Sequence, residues 1–178
     1  MILHLLKVLA EGEKAPHILL ATPALARLNT HLTSKNAQIR ELSALNIGSI
    51  SYNMKGKEKT IDAKSIEPLC QMLFDEVSEV RTAATRSLTS LAQLKAGKVE
   101  IYDLEMLDRI IELLYDESDQ TRLNVVQMIS SVGEYPPGRE KFKECLEKLH
   151  DMVQKEKYHY PLVSRFAQTA IDVITWKP

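Results

Sequence analysis

The sequence predicts an all-α chain coiled into a solenoid of repeated helical units, on three observations. Leu, Ile, Ala, Glu and Lys abound beside only six glycines, three phenylalanines and one tryptophan, a composition that favours helix. Arg40, Arg81 and Arg122 stand 41 residues apart, each after a Val, Ile or Thr. The same step relates Leu28, Leu69 and Ile110; Leu32, Leu73 and Leu114; Leu25, Ile66 and Leu107; Ile47, Leu88 and Ile129; and Ile50, Leu91 and Val132. Three of the six glycines, Gly56, Gly97 and Gly138, keep that register too. A fixed period of this size marks stacked supersecondary units.

The units follow in order. Stepping back 41 residues from Ile47 and Ile50 reaches Leu6 and Leu9, so residues 1–10 read as the closing helix of a partial repeat. Ile2, Leu3, Leu5, Leu6, Val8 and Leu9 would then be partly bare, which predicts a fragment, a short isoform or self-association through this N-terminal helix. Repeats follow at 11–53, 54–94 and 95–135. In the middle copy Ile66, Leu69 and Leu73 make the buried stripe of a short helix ending near Phe74. Asp75 to Ser78 is polar enough for a turn, and Ser78 with Glu79 is expected to cap the next helix. That helix runs to about Gln93 and buries Val80, Ala84, Leu88 and Leu91; Gly97 is expected to supply a turn tolerant of positive φ before a short helix around Lys98 to Leu104. Residues 136–178 form a C-terminal capping repeat, with Leu146, Leu149 and Met152 in one helix and Phe166, Ala170, Ile171 and Ile174 in the last. Its register slips by a residue or two, the arginine position falls on Val163, and Pro161 breaks the chain before the final helix. Trp176 is expected to fold back on this unit.

Charge and motifs narrow the function. With 23 basic and 24 acidic side chains the net charge is -1, which offers no field to attract nucleic acid or an anionic membrane. The run Met1 to Ala10 is too short to span a bilayer and lacks the features of a signal peptide. Cys70 and Cys145, without C-x-x-C spacing, read as buried thiols of a reducing compartment. No phosphate loop, nucleophile elbow, kinase signature or zinc-type spacing occurs, and His4, His17, His31, His150 and His159 never pair at i+4. No enzyme, cofactor or metal site is therefore expected. The acid pairs Asp75-Glu76 and Asp116-Glu117 read as solvated turns. Lys55, Lys57, Lys59 and Lys64 read as a solvated helix face before a basic patch. The three arginines are expected to form a structural ladder with acids or carbonyls of the adjacent unit.

Gly97, the short first helix, the Ile66-Glu67-Pro68-Leu69 start of the second and the long third helix resemble the armadillo family, with HEAT repeats the close alternative. That resemblance implies a right-handed superhelical solenoid of armadillo/HEAT type whose third helices line a concave protein-binding groove. Armadillo domains that grip nuclear localisation peptides carry a Trp and, four residues on, an Asn in each third helix. Here those positions hold Leu45 and Ser49, Arg86 and Ser90, and Gln127 and Ser131. The import-receptor reading falls with the missing Trp and Asn, and the six residues become candidates for another protein contact. A recurring serine serves equally as a donor to a partner backbone or as a small residue for close helix packing.

A closer likeness joins the run Ala96-Gly-Lys-Val-Glu-Ile-Tyr-Asp-Leu-Glu-Met-Leu107 to Ile111-Glu-Leu-Leu, Arg122-Leu-Asn, Pro137-Gly-Arg and the final Ile171-Asp-Val-Ile-Thr-Trp-Lys-Pro178. In this order they resemble the C-terminal half of the armadillo proteins of the radial spoke head. The resemblance implies a non-catalytic structural subunit of motile cilia and flagella, in cytoplasm, cytoskeleton and axoneme, with axonemal or spoke proteins as partners. The alternative from the residues alone is a cytosolic adaptor that captures extended peptides in its groove.

Overall fold

A computed structural model describes residues 24–177. Over this range the chain forms helices joined by short turns: α1 (Ala24–His31), α2 (Ala37–Ile50), α3 (Met54–Asp62), α4 (Ile66–Gln71), α5 (Ser78–Leu91), α6 (Lys95–Asp103), α7 (Leu107–Glu112), α8 (Asp119–Gly133), α9 (Pro136–Phe142), α10 (Leu146–His159) and α11 (Pro161–Thr175). Three-residue 3-10 turns continue α4, α7 and α9. The trios α3–α5, α6–α8 and α9–α11 are equivalent, and α1 and α2 match the second and third helices of a unit ahead of them. The expected helix over residues 1–10 and its self-associating face lie outside the described residues.

Local chemistry sets the helix starts. The Asn36 side chain accepts the Gln38 amide at 2.9 Å, Asn53 accepts Gly56 at 2.8 Å, and Ser118 accepts Thr121 at 3.2 Å. Pro161 opens α11, where a missing N–H costs nothing. Ser78 departs from expectation: it is the first helical residue of α5, Val77 occupies the cap position, and no side-chain cap forms.

The third helices α2, α5, α8 and α11 pack in series, each against the next. Ile47 and Ile50, Leu88 and Leu91, Ile129 and Val132, and Val163 and Ile174 are buried along them. Leu69 and Ile110 from the second helices close the same core, and all four residues of the set Leu69, Leu88, Ile110 and Ile129 are fully buried. Each such side chain contributes roughly 1.5–3 kcal/mol through area removed from water. Hydroxyls stitch the seam between units: Ser87 Oγ donates to the Ala44 carbonyl at 2.8 Å, Thr89 Oγ1 to the Asn124 carbonyl at 2.9 Å, and the Thr82 and Thr121 hydroxyls share a hydrogen bond of 2.7 Å. In α11 the outward positions carry exposed Arg165, Gln168 and Asp172 instead, and Gln168 Nε2 donates to Asp172 at 2.9 Å. Trp176 leaves its ring half open under the Arg139 guanidinium, 5.1 Å from its centroid.

The glycine at the shared position does something other than turn the chain. Gly97 lies inside α6 and no described glycine has positive φ. A Cβ there would overlap the Leu91 carbonyl oxygen, and at Gly56 the Ile50 carbonyl oxygen. The first helix of each unit thus crosses the end of the preceding third helix in backbone contact, which a side chain would prevent. Positive φ falls instead on Lys64 and Glu105, both at 57°, where the chain leaves α3 and α6.

Candidate protein-binding face

The repeated arginines form the expected ladder. Arg40 Nε donates to Asp75 at 2.6 Å while its Nη1 holds the Ser34 carbonyl at 2.8 Å. Arg81 repeats this with Asp116 at 2.6 Å and the Asp75 carbonyl at 2.9 Å. Arg122 closes the series on Glu156 at 2.7 Å and the Asp116 carbonyl at 3.0 Å. Each of these three arginines therefore ties the turn of its own unit to an acid of the next. Asp75 and Asp116, expected as solvated turn residues, are instead largely buried: their side chains are only 10% and 3% exposed, and only Glu76 and Glu117 face solvent. A charge repeated at the arginine step was the signal for a buried partner. Burial opposes ionisation of Asp75, but hydrogen bonds from Arg40 and the Val77 amide, with the charges of Arg40 and Arg81, outweigh it and hold the carboxyl below its ordinary value.

On the third-helix face Arg86 is exposed, and Leu45, Gln127, Ser49, Ser90 and Ser131 are half-buried. The serines divide. Ser49 Oγ donates within its helix to the Leu45 carbonyl at 3.0 Å, and Ser90 Oγ reaches back to the Ser51 carbonyl of the preceding unit at 2.7 Å. Those two hydroxyls serve packing. Leu45 meets residues that sequence reasoning passed over: with Ala83 it floors a cleft of about 290 Å³, rimmed by Glu41, Glu79, Ser78, Thr82 and Ser118. Arg86 and Gln127 lie outside this cleft. Glu41 and Glu79 make no ion pair among the described residues, so their charge faces whatever enters. Their sequence signal is faint, because an acid on an exposed helix face is ordinary.

The lysine cluster is not one patch: Lys55, Lys59 and Lys64 are exposed, whereas Lys57 is buried and points Nζ at the Tyr52 carbonyl, 3.4 Å away. The thiols are buried too. Burial raises Cys70 to about 12 and Cys145 to about 11, far from a reactive thiolate. Among the described residues no cluster of His, Cys, Asp or Glu could hold a metal ion, and no described helix is long and apolar enough to cross a membrane.

Stacked three-helix units, a continuous core and an interlocking charge ladder define an armadillo/HEAT-type repeat solenoid. Residues 66–94 match the HEAT repeat. No curated protein matches the chain. Among solved structures, an engineered protein superposes with a TM-score of 0.87 at 22% identity, covering 96% of this chain and 72% of its own. A computationally designed armadillo repeat protein for modular peptide recognition gives 0.86 at 20% identity, over 96% and 73%. A designed armadillo repeat protein in complex with the peptide (KR)4 gives 0.84 at 22% identity, again over 96% and 73%. The likeness is one of fold.

Proposed function

We propose that this chain is a non-catalytic scaffold that holds other proteins, engaging an extended partner segment along its third-helix face. The observation that carries the reading is the Leu45 cleft, an apolar floor with unpaired carboxylates at its rim, set on helices that the arginine ladder fixes edge to edge. A preorganised surface spends little binding energy on ordering itself. The designed armadillo proteins of the same fold, one made for modular peptide recognition and one bound to a peptide, support protein or peptide partners in general.

The resemblance quoted from the sequence supports a more particular role, a structural subunit of the radial spoke in motile cilia and flagella with spoke proteins as partners. The peptide-bound designed relative favours the second reading, a cytosolic adaptor capturing extended segments. Expressing the tagged chain in ciliated cells and mapping cross-links tests both. Retention on detergent-extracted axonemes, with spoke proteins cross-linked beside Leu45, Arg86 or Gln127, is the expected result. A diffuse cytosolic signal with peptides cross-linked at those residues selects the adaptor. Partner cross-links confined to other surfaces overturn the third-helix face as the binding site.

A further inference from the structure

Away from the third helices, the junction of α4 and α6 holds a cleft of about 800 Å³ with an aliphatic floor of Ala96, Val99 and Leu104. Its walls bear Glu67, Glu100 and Asp103. The next junction of the stack, α7 against α9, shows how the fold fills the same place. There Lys141 Nζ lies 2.8 Å from Asp108 and 2.8 Å from Glu144, a clasp joining two units. One repeat earlier the two acids persist as Glu67 and Asp103, but the lysine position is taken by Glu100.

Three carboxylates thus stand where the neighbouring junction has acid, lysine and acid, and none of them makes an ion pair or hydrogen bond among the described residues. Lys64 and Lys95 also line the cleft without forming an ion pair with them. Burial raises the Glu100 carboxyl above its ordinary value; Lys64 pulls it back, and the like charge of Glu67 adds to the rise. An open apolar cleft with a cation missing from a repeated clasp fits a partner that brings the cation.

We propose that this cleft docks a partner protein segment that inserts a lysine or arginine between Glu67 and Asp103, where Lys141 stands in the next unit, and lays flanking apolar side chains on Val99 and Leu104. The site lies on other helices than the Leu45 cleft and is independent of it.

The probe is a fluorescein-labelled dodecapeptide of alternating leucine and lysine, titrated against the full chain by fluorescence anisotropy, beside a leucine–glutamate peptide of equal length. The expected result is saturable binding of the basic peptide alone. Glu100→Lys should install the clasp within the chain, raise Tm and weaken binding tenfold or more. The paired change Glu67→Gln and Asp103→Asn should weaken binding comparably while leaving the fold intact. Absent binding by the native chain, or equal binding by native chain, Glu100→Lys and the paired variant, overturns the proposal. Loss with the paired change Glu41→Gln and Glu79→Gln but not with Glu100→Lys moves the peptide to the third-helix face, overturning this site while supporting that one.

Discussion

Replacing Asp116 with alanine strips one rung from the arginine ladder. The native carboxylate, almost wholly buried, accepts Arg81 Nε at 2.6 Å and the Ser118 amide at 2.9 Å. Removing one partner of a buried pair costs about 3–5 kcal/mol, since the other charge stays behind without compensation. Two contacts soften the loss. Glu117 remains 3.2 Å from Arg81 Nη2, and Nη1 keeps the Asp75 carbonyl. The expected destabilisation is therefore about 2–4 kcal/mol, a large share of the roughly 5–15 kcal/mol that holds a folded domain. Arg81→Ala should cost a similar amount, and the double variant less than the sum, with a coupling of about 1–3 kcal/mol. Urea unfolding followed by circular dichroism gives the cycle. Hydrogen exchange on α7 and α8 shows whether the loss is local, because repeat arrays can open unit by unit. A loss under about 1 kcal/mol for Asp116→Ala, or coupling under about 0.5 kcal/mol, would show that the ladder decorates the stack without holding it.

Gly97→Ala should lower Tm by forcing α6 off the Leu91 carbonyl, a strain of about 1–3 kcal/mol, where an alanine inside a helix would ordinarily help; unchanged stability would mean the crossing is not in backbone contact. Leu88→Ala, at a fully buried position, should cost roughly 2–5 kcal/mol in the same urea assay, and a loss under about 1 kcal/mol would place the core register elsewhere. Acid unfolding reads the ladder through Asp75, whose folded pKa lies below the unfolded value of about 3.9. Its stabilisation is complete above that unfolded value and is lost as pH falls through the lower folded one, so Tm should drop below about pH 4, and Asp75→Asn should flatten that part of the drop. Glu100 acts in the opposite sense, its raised pKa making ionisation costly to the fold, so Glu100→Gln should raise Tm at pH 7 and gain nothing at low pH.

Much of the architecture was legible because a repeat tests itself: Leu69, Leu88, Ile110 and Ile129 share a register, and all are fully buried. The arginine ladder was legible for the same reason. Its acids were misread because Asp75 and Asp116 sit in turns, where polarity usually means solvent, and only the superposed units show that the turn of one faces the arginine of the last. Gly97 was read through local turn chemistry, while its role is set by a carbonyl from the preceding helix. The cleft at Leu45 stayed hidden, since Glu41, Glu79 and Thr82 are unremarkable singly and meet only when α2 and α5 pack side by side. Glu100 is legible only by comparison with Lys141, one period on, after the structure has shown what that lysine does.

The ladder also constrains how such a chain can change length. Arg40 finds its acid 35 residues ahead, and Arg81 does the same. Excising residues 54–94 would set Arg40 at that same interval from Asp116 and bring the ends of two equivalent units together, so the arginine would still face an acid across the new seam, with Met128 standing where Ser87 now donates to the Ala44 carbonyl. Cutting within a unit would shift that interval, and only the last rung departs from it, Arg122 meeting Glu156 34 residues ahead. A change of length by one whole period keeps the charge spacing intact, which makes the unit, and not the residue, the natural increment in which this ladder can be lengthened or cut.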